Sequence, residues 1–509
     1  MREFRKRVAP GLALCTGLVL GLTASSHAQS IFQSTYGGKL EDAARGGTIR
    51  TSDGGILTVG ESRSFSPGGD YDVYVVKTDA CGNLQWSATY DIGRGGDDFG
   101  RKVRETVDGN FVIVGSTNNN AGCSSKYPDI FVLNIDGKGS VNWANTYGGS
   151  FADDGTDIQL FNGGKEYVVS GRSASFGAGS YDAYLMDIDF GGNVNWARVY
   201  GGGAYDGFNA LTVAANGDII ATGETFSYNF GDDQIYLVRV DGKGNFSSPL
   251  NFSYHYGGSK SNEAGNDVVE INQKFIGVVG YTDAGGTRDP YVLKVFADGT
   301  CFCDNTFINP RDKSDDVFNE VEATPDGDLY VVGTDRNITF GFGGTDMMLV
   351  RIDQKCGFAW GRLYGMTENE EGHSLHVEYD PANPSAVYSF LLAGVTTSCC
   401  FGSEDVYLVG ADANGVSGCN ENDLKLDQQS PGYCPQKAPT GNPLVYNWCA
   451  VKAEPVYFDS WKPLCQSCQD GNLMPGNREH LGGNLHQQGV LQTTAVRTAA
   501  RTRVAGSQR

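Results

Sequence analysis

The chain has 509 residues and a formal net charge of −21, from 60 Asp and Glu against 39 Lys and Arg. So large an excess of acid excludes nucleic acid and anionic membranes as main partners, because phosphate binding needs basic surface. It suits solubility, cations or a basic partner.

At the N-terminus, Arg2, Arg5, Lys6 and Arg7 precede the apolar run Val8 to Ala24, and Ser26-His27-Ala28 offers a cleavage site. That order predicts a secretory signal peptide over residues 1–28. Cys15 could be read as a lipoprotein anchor, but the Leu14 before it is too large for the usual small residue. No other stretch approaches the ~20 apolar residues of a membrane helix, so no transmembrane segment is expected. Removing residues 1–28 leaves 35 basic against 59 acidic residues, net −24, and the span 29–419 carries 26 against 52, net −26. Of 13 Cys, loss of Cys15 leaves an even number in an oxidising compartment, where disulfides are the default. The expected location is secreted or cell-surface, extracellular or periplasmic.

From residue 31 onward one phrase recurs. Asp189 to Gly202 reads as an Asp-x-x-Gly turn, an alternating strand with Trp196 and Tyr200, and a closing Gly-Gly pair. It returns with Trp86/Tyr90, Trp143/Tyr147 and Trp360/Tyr364, and in altered form with Phe252/Tyr256 and Cys303/Phe307. Positions 36, 90, 147, 200, 256, 307 and 364 lie 51 to 57 residues apart, the mark of a repeat architecture. Each unit continues with a carboxylate and strand A, an Asn/Asp-Gly hairpin turn, and strand B. A Gly/Ser loop follows, then Asp-x-Tyr opening strand C, then the Trp strand D. At Asp53-Gly54, Asp108-Gly109, Asn162-Gly163, Asn216-Gly217 and Asp326-Gly327 the expected turn has positive φ at both central residues. Four antiparallel strands per unit form a propeller blade.

Seven A–B–C sets occur, near residues 41–80, 97–136, 153–189, 206–241, 263–298, 315–353 and 370–412, but only six are followed by strand D. The seventh lies at the other end. Ile31 to Gly38 matches the phrase, with Phe32 in the Trp place and Tyr36 in the Tyr place. The expectation is an all-β, seven-bladed β-propeller over 29–419, closed by its N-terminal strand, which removes the open edge a partial ring would leave.

The Trp-x-x-x-Tyr-Gly-Gly, Asp-Gly-Gly and Asp-x-x-Gly-Asn phrases over about 30–412 resemble the secreted bacterial β-propeller repeat family. The resemblance implies a surface or secreted binding module and leaves the ligand open. The pattern departs at Cys301 to Pro310 and at Asp380 to Pro384. Past Cys419 it stops. Cys434, Cys449, Cys465 and Cys468 predict a small disulfide-stapled appendage over 420–470, with Cys465-x-x-Cys468 favoured as a staple over a zinc half-site. Residues 471–509 predict a disordered, basic-ended tail.

The Trp and Tyr of each D strand share one face and are read as blade-to-blade packing. The carboxylates are the functional signal. One set, Asp42, Asp98, Asp153, Asp206, Glu263, Asp315 and Glu370, follows the Gly-Gly pair. A second, Asp72, Asp129, Asp182, Asp289, Asp346 and Asp405, opens strand C, with Asp233 one place out of register. Both sets fall at one end of the strands, where the acids either cap their own loops or form a binding face. Asp72, Asp129, Asp182, Asp346 and Asp405 are the metal candidates, and Ca²⁺ the one cofactor considered, although no EF-hand loop is present and Gly341 to Asp346 holds no tandem calcium repeat.

Cys399-Cys400 invites comparison with quinone-dependent dehydrogenase propellers, which have eight blades and a different phrase. His373 and His376 lie on opposite faces of an extended strand, and no Gly-x-Ser-x-Gly, His-Glu-x-x-His or phosphate loop is present, so no catalyst is nominated. The expectation is a monomeric binding or scaffold module for an extracellular protein or glycan, acting through the acidic loop face. Two alternatives stand beside it: a propeller enzyme (polysaccharide hydrolase or lyase, or quinone oxidoreductase) and a structural envelope component.

Overall fold

Strands rich in Val, Ile, Leu and Tyr fold into seven antiparallel sheets, the blades of a propeller. The computed structural model describes residues 31–92, 95–118, 127–228, 232–308, 314–336, 343–398 and 402–429, together with the backbone of Gln436–Lys437, Glu454–Phe458 and Trp461–Cys465. Cys123, Cys399, Cys400 and the expected tail 471–509 lie outside these residues. Among them no helix is long and apolar enough to cross a membrane.

Blade three shows the plan: Asp153–Phe161 innermost, then Glu166–Ser173, Asp182–Asp189 and Val194–Tyr200. Closure occurs as expected. Phe32–Tyr36 pairs with Asp405–Asp412 as the fourth strand of blade seven, setting Phe32 opposite Gly410 and Tyr36 opposite Val406. The middle strands bury almost every residue, and seven apolar clusters fill the seven junctions between neighbouring blades. In the junction between blades seven and one, Phe32 and Tyr36 pack with Ile56, Tyr74, Leu391 and Leu408. At about 1.5–3 kcal/mol for each large apolar side chain removed from water, these clusters hold the ring together.

The phrase residues clamp each blade to the next. The hydroxyls of Tyr36, Tyr90, Tyr147, Tyr200, Tyr256 and Tyr364 donate to the carbonyls of Gly82, Gly139, Gly192, Gly244, Gly299 and Gly415 over 2.5–2.8 Å. Those glycines sit in the C–D turns with positive φ, and the rings of Trp86, Trp143, Trp196 and Trp360 cover four of them. At the junction of blades five and six the clamp is covalent. Cys303 stands in the Trp place and Cys356 (φ 63°) in the Gly place, and the two form a disulfide. Phe307 has no hydroxyl, and Asn305 Nδ2 donates to the Cys356 carbonyl instead.

One expectation is corrected. At Asp53-Gly54, Asp108-Gly109, Asn216-Gly217 and Asp326-Gly327 only the glycine has positive φ; both residues do so at Asn162-Gly163 alone. The first four are turns of one more residue. Gly54 N–H donates to Thr51 O and Thr51 N–H to Gly55 O, which places the glycine as the left-handed residue after a type I turn. Residues 420–470, the expected appendage, are described only in part. Their described segments add fifth strands to outer edges: Glu421–Leu424 on blade six, Asp427–Gln429 on five, Gln436–Lys437 on four, Glu454–Phe458 on one and Trp461–Cys465 on seven. Strands of two to five residues are too short to show an alternating pattern, which is why the sequence concealed them. Cys419 is disulfide-bonded.

Candidate axial binding site

The acids of the first set stand at the same end of every blade, and they are buried. Asp42, Asp98, Asp153, Asp206, Glu263 and Glu370 are at most 1% exposed. Each accepts a backbone N–H of the loop before it, from Gly38, Ile92, Gly149, Gly202, Gly258 and Met366. Each also accepts a hydroxyl from the end of the second strand, from Ser62, Thr117, Ser173, Thr225, Thr282 and Thr396. They cap their own loops. Asp315 is not the blade-six member: it is exposed, and buried Asp316 takes the place, its N–H donating to Arg288 O as Asp153 N–H donates to Pro128 O. Counting from Gly-Gly fails here because blade five ends Phe307-Ile308 without that pair.

The second set is also buried, one residue per blade. Asp72, Asp129, Asp182, Asp289 and Asp405 lie opposite Ser62, Thr117, Ser173, Thr282 and Thr396, and Asp346 lies opposite Asp335. In blade four Gln234, beside Asp233, fills this place opposite Thr225. Burial pushes Asp182 and Asp289 up to about 6 and Asp72 up to about 7. The metal candidates Asp72, Asp129, Asp182, Asp346 and Asp405 are therefore distributed around the ring rather than gathered. Among the described residues, one group comes together: Asp72, Asp98 and Asp91, whose nearest oxygens lie within 4.8 Å of one another. Asp91 occupies the place of Gly37, Gly148, Gly201 and Gly365, where a Cβ would meet the neighbouring acids at 1.8–2.4 Å. Burial, with Asp91 and Asp72 nearby, pushes Asp98 up to about 8. Three carboxylates so gathered carry oxygens of the kind Ca²⁺ takes, of which it needs six to eight.

The convergent site lies on the axis. Every inner strand from blade two to blade seven carries a one-residue bulge beside Gly100, Gly155, Phe208, Gly265, Phe318 or Gly372. A bulge re-aims one side chain. The bulged residues are Arg101, Thr156, Asn209, Asn266, Asn319 and His373, and with Arg45 of blade one they line a cavity of about 220 Å³. Each falls three residues after the capping acid, counting Asp316 in blade six. That polar position was the readable signal, and attention to the acids themselves passed over it.

The bulged side chains stitch the wall. Thr156 Oγ1, Asn209 Nδ2, Asn266 Nδ2 and Asn319 Nδ2 donate to the carbonyls of Phe208, Gly265, Phe318 and Gly372 in the next blade, over 2.7–3.0 Å. Arg45 pairs with Glu61 and Glu404 at 3.0 and 2.8 Å, and His373 with Glu371 at 3.1 Å. The guanidinium of Arg101 lies 5.2 Å from the centre of the Phe99 ring.

One residue further in, Lys102 of blade two reaches across the axis to an ion pair with Glu320 of blade six. Asp157, Asp267 and Glu320 accept the N–H groups of Leu211, Val321 and Leu375 in the next blade. Burial pushes Asp267 up to about 7. Burial opposes the charge on Glu320 as well, but Lys102 beside it holds that carboxyl below its ordinary value. This bar of charge divides the channel. A cavity of about 300 Å³ lies beyond it, lined by Arg104, Gln159, Glu322 and His376.

Half-buried aromatics and arginines surround the mouth at the acid-capped end. Tyr71 and Phe99 lie 5.4 Å apart with Arg63 over Tyr71, Arg172 sits 5.9 Å from both Tyr181 and Tyr205, and Arg288 covers Tyr281 at 4.5 Å.

No family model and no curated protein matches the chain. Among solved structures it is similar to a Penicillium chrysogenum α-L-arabinanase complexed with arabinobiose, at 10% identity and TM-score 0.43, covering 76% of this chain and 100% of that one. It is similar to a Fusarium graminearum α-L-arabinofuranosidase at 10% identity and TM-score 0.42, covering 76% and 99%. It is also similar to Sqt1 from Chaetomium thermophilum at 12% identity and TM-score 0.40, covering 84% and 90%. These are likenesses of propeller fold, and no reaction passes from them to this chain.

Proposed function

We propose that the chain is an exported propeller that binds the end of a glycan in its axial vestibule. The observation that carries this reading is the ring of seven side chains, one per blade, turned into a single polar cavity. Asn209, Asn266 and Asn319 use their N–H groups on the wall, and each keeps a carboxamide oxygen to accept a sugar hydroxyl. Aromatic rings at the mouth suit the apolar faces of sugars. The acidic loop face is a weaker contact surface, because its named carboxylates, exposed Asp315 apart, are buried.

A glycan array probed with the full chain tests the reading. Hits are expected, and the double substitution N209A/N266A should weaken them at least tenfold without loss of the folded state by circular dichroism. A silent array, or a variant that binds as the parent does, would refute it.

The enzyme alternative has its own observation. Burial raises the proton affinity of Asp267 while Lys102 lowers that of Glu320, and two carboxyl groups with affinities pushed apart are what acid–base glycoside cleavage requires. Reducing ends released from a polysaccharide panel, and their loss in D267N, would support hydrolysis. A panel left intact would remove it.

A further inference from the structure

The vestibule is not electrically even. Three cations, Arg45, Arg101 and Lys102, line it beside His373, in a chain whose propeller span carries twice as many acids as bases. Arg45 pairs with Glu61 and Glu404 and Lys102 with Glu320, while His373 contacts Glu371. Arg101 forms no ion pair among the described residues, and its one contact of note is the face of Phe99. The floor carboxylates are committed as well, to the backbone N–H groups of Leu211, Val321 and Leu375. A half-buried guanidinium beside three carboxamides in a polar cavity presents five N–H donors in a planar fork. That fork matches two oxygens of one acidic group.

We infer that the glycan taken by the vestibule, the reading on which this inference rests, carries an oxyanion, either a uronate carboxylate or a sulfate ester, and that Arg101 receives it. The five other bulged positions and Arg45 hold neutral or already paired side chains, so the unpaired charge sits at one point of a seven-membered ring. A ligand would therefore enter in a single rotational orientation, its acidic group toward blade two. Its hydroxyls would face Asn209, Asn266 and Asn319.

The test titrates the full chain with an oligogalacturonate, its fully methyl-esterified form, and a sulfated neutral oligosaccharide of equal length. At low salt one of the two anionic probes should bind at least tenfold tighter than the ester, and which one does so identifies the group. R101Q should abolish the preference of acid over ester, and R101K should keep only part of it, a point charge lacking the fork. The preference of the parent chain should also shrink as salt rises, since screening shortens to ~3 Å at 1 M. This readout holds even if R101Q does not fold. If acid and ester bind alike, or R101Q retains the preference, the role of Arg101 is overturned while the vestibule reading stands. If none of the probes binds and a broad array is silent, the vestibule reading falls and this inference with it.

Discussion

The junction of blades five and six is the sharpest test of how the ring is held. At four other junctions a Trp covers a turn glycine and a Tyr hydroxyl bonds its carbonyl; here Cys303 and Cys356 take the places of the Trp and the glycine. The C303A/C356A variant opens a loop whose ends are 53 residues apart. Chain entropy assigns such a cross-link about 4 kcal/mol, and measured disulfides mostly deliver 2–4 kcal/mol. Returning the junction to the form of its neighbours, as C303W/C356G, should recover most of that loss. A half-buried Trp covering roughly 100 Å² of apolar surface contributes about 2–3 kcal/mol. The glycine also removes the roughly 1–2 kcal/mol that a left-handed Cys356 costs. Urea denaturation of the three proteins, followed by tryptophan fluorescence and by circular dichroism, gives the comparison. Loss of less than about 1 kcal/mol in the alanine pair, or no gain in the Trp/Gly pair over it, would refute the equivalence of disulfide and clamp.

Other outcomes follow from the buried charges. K102M leaves Glu320 and Asp267 in the channel without their cation and should cost about 3–5 kcal/mol, the toll for breaking a buried pair; K102M/E320M should recover most of it, and a change below about 1 kcal/mol in urea melts would contradict the crossing ion pair. The elevated Asp72 (about 7) and Asp98 (about 8) bind more protons folded than unfolded, so their contribution to stability is fully present below about pH 4 and is lost as pH rises from there through 8. D91G removes one neighbouring charge and restores the residue type of the other junctions. The fall in melting temperature between pH 5 and 9 should be shallower than in the parent, and equal slopes would sink the account. D316A should cost about 1–3 kcal/mol through orphaned donors at Arg336 N–H and Ser314, whereas D315A, at an exposed residue, should change the melting temperature little; the reverse order would restore the sequence count.

Legibility differed by the range of the cause. The blade phrase is local, since turn chemistry and strand alternation act over a few residues and recur seven times. Strand number, strand order and the closing role of Phe32–Tyr36 could therefore be read directly. The acids were visible for the same reason, and the structure assigns them to loop capping. The axial ring was half visible. A polar residue three places after each acid is a regular signal, but nothing in a linear pattern says that a bulge turns it toward the axis.

What the amino-acid order settles alone is the ring: each blade carries its own turns and its own apolar faces, and an unfilled seventh fourth-strand place has one matching segment. What only the folded molecule decides is everything that joins residues far apart in sequence. The span from Lys102 to Glu320, the substitution of a disulfide for a clamp, the gathering of Asp91 with Asp72 and Asp98, and the pairing of the described segments between Glu421 and Cys465 with the blade edges depend on which blades face one another across or around the axis. The physical reason is that such contacts owe their energy to desolvation and to the packing of one blade against another, and neither exists in the extended chain.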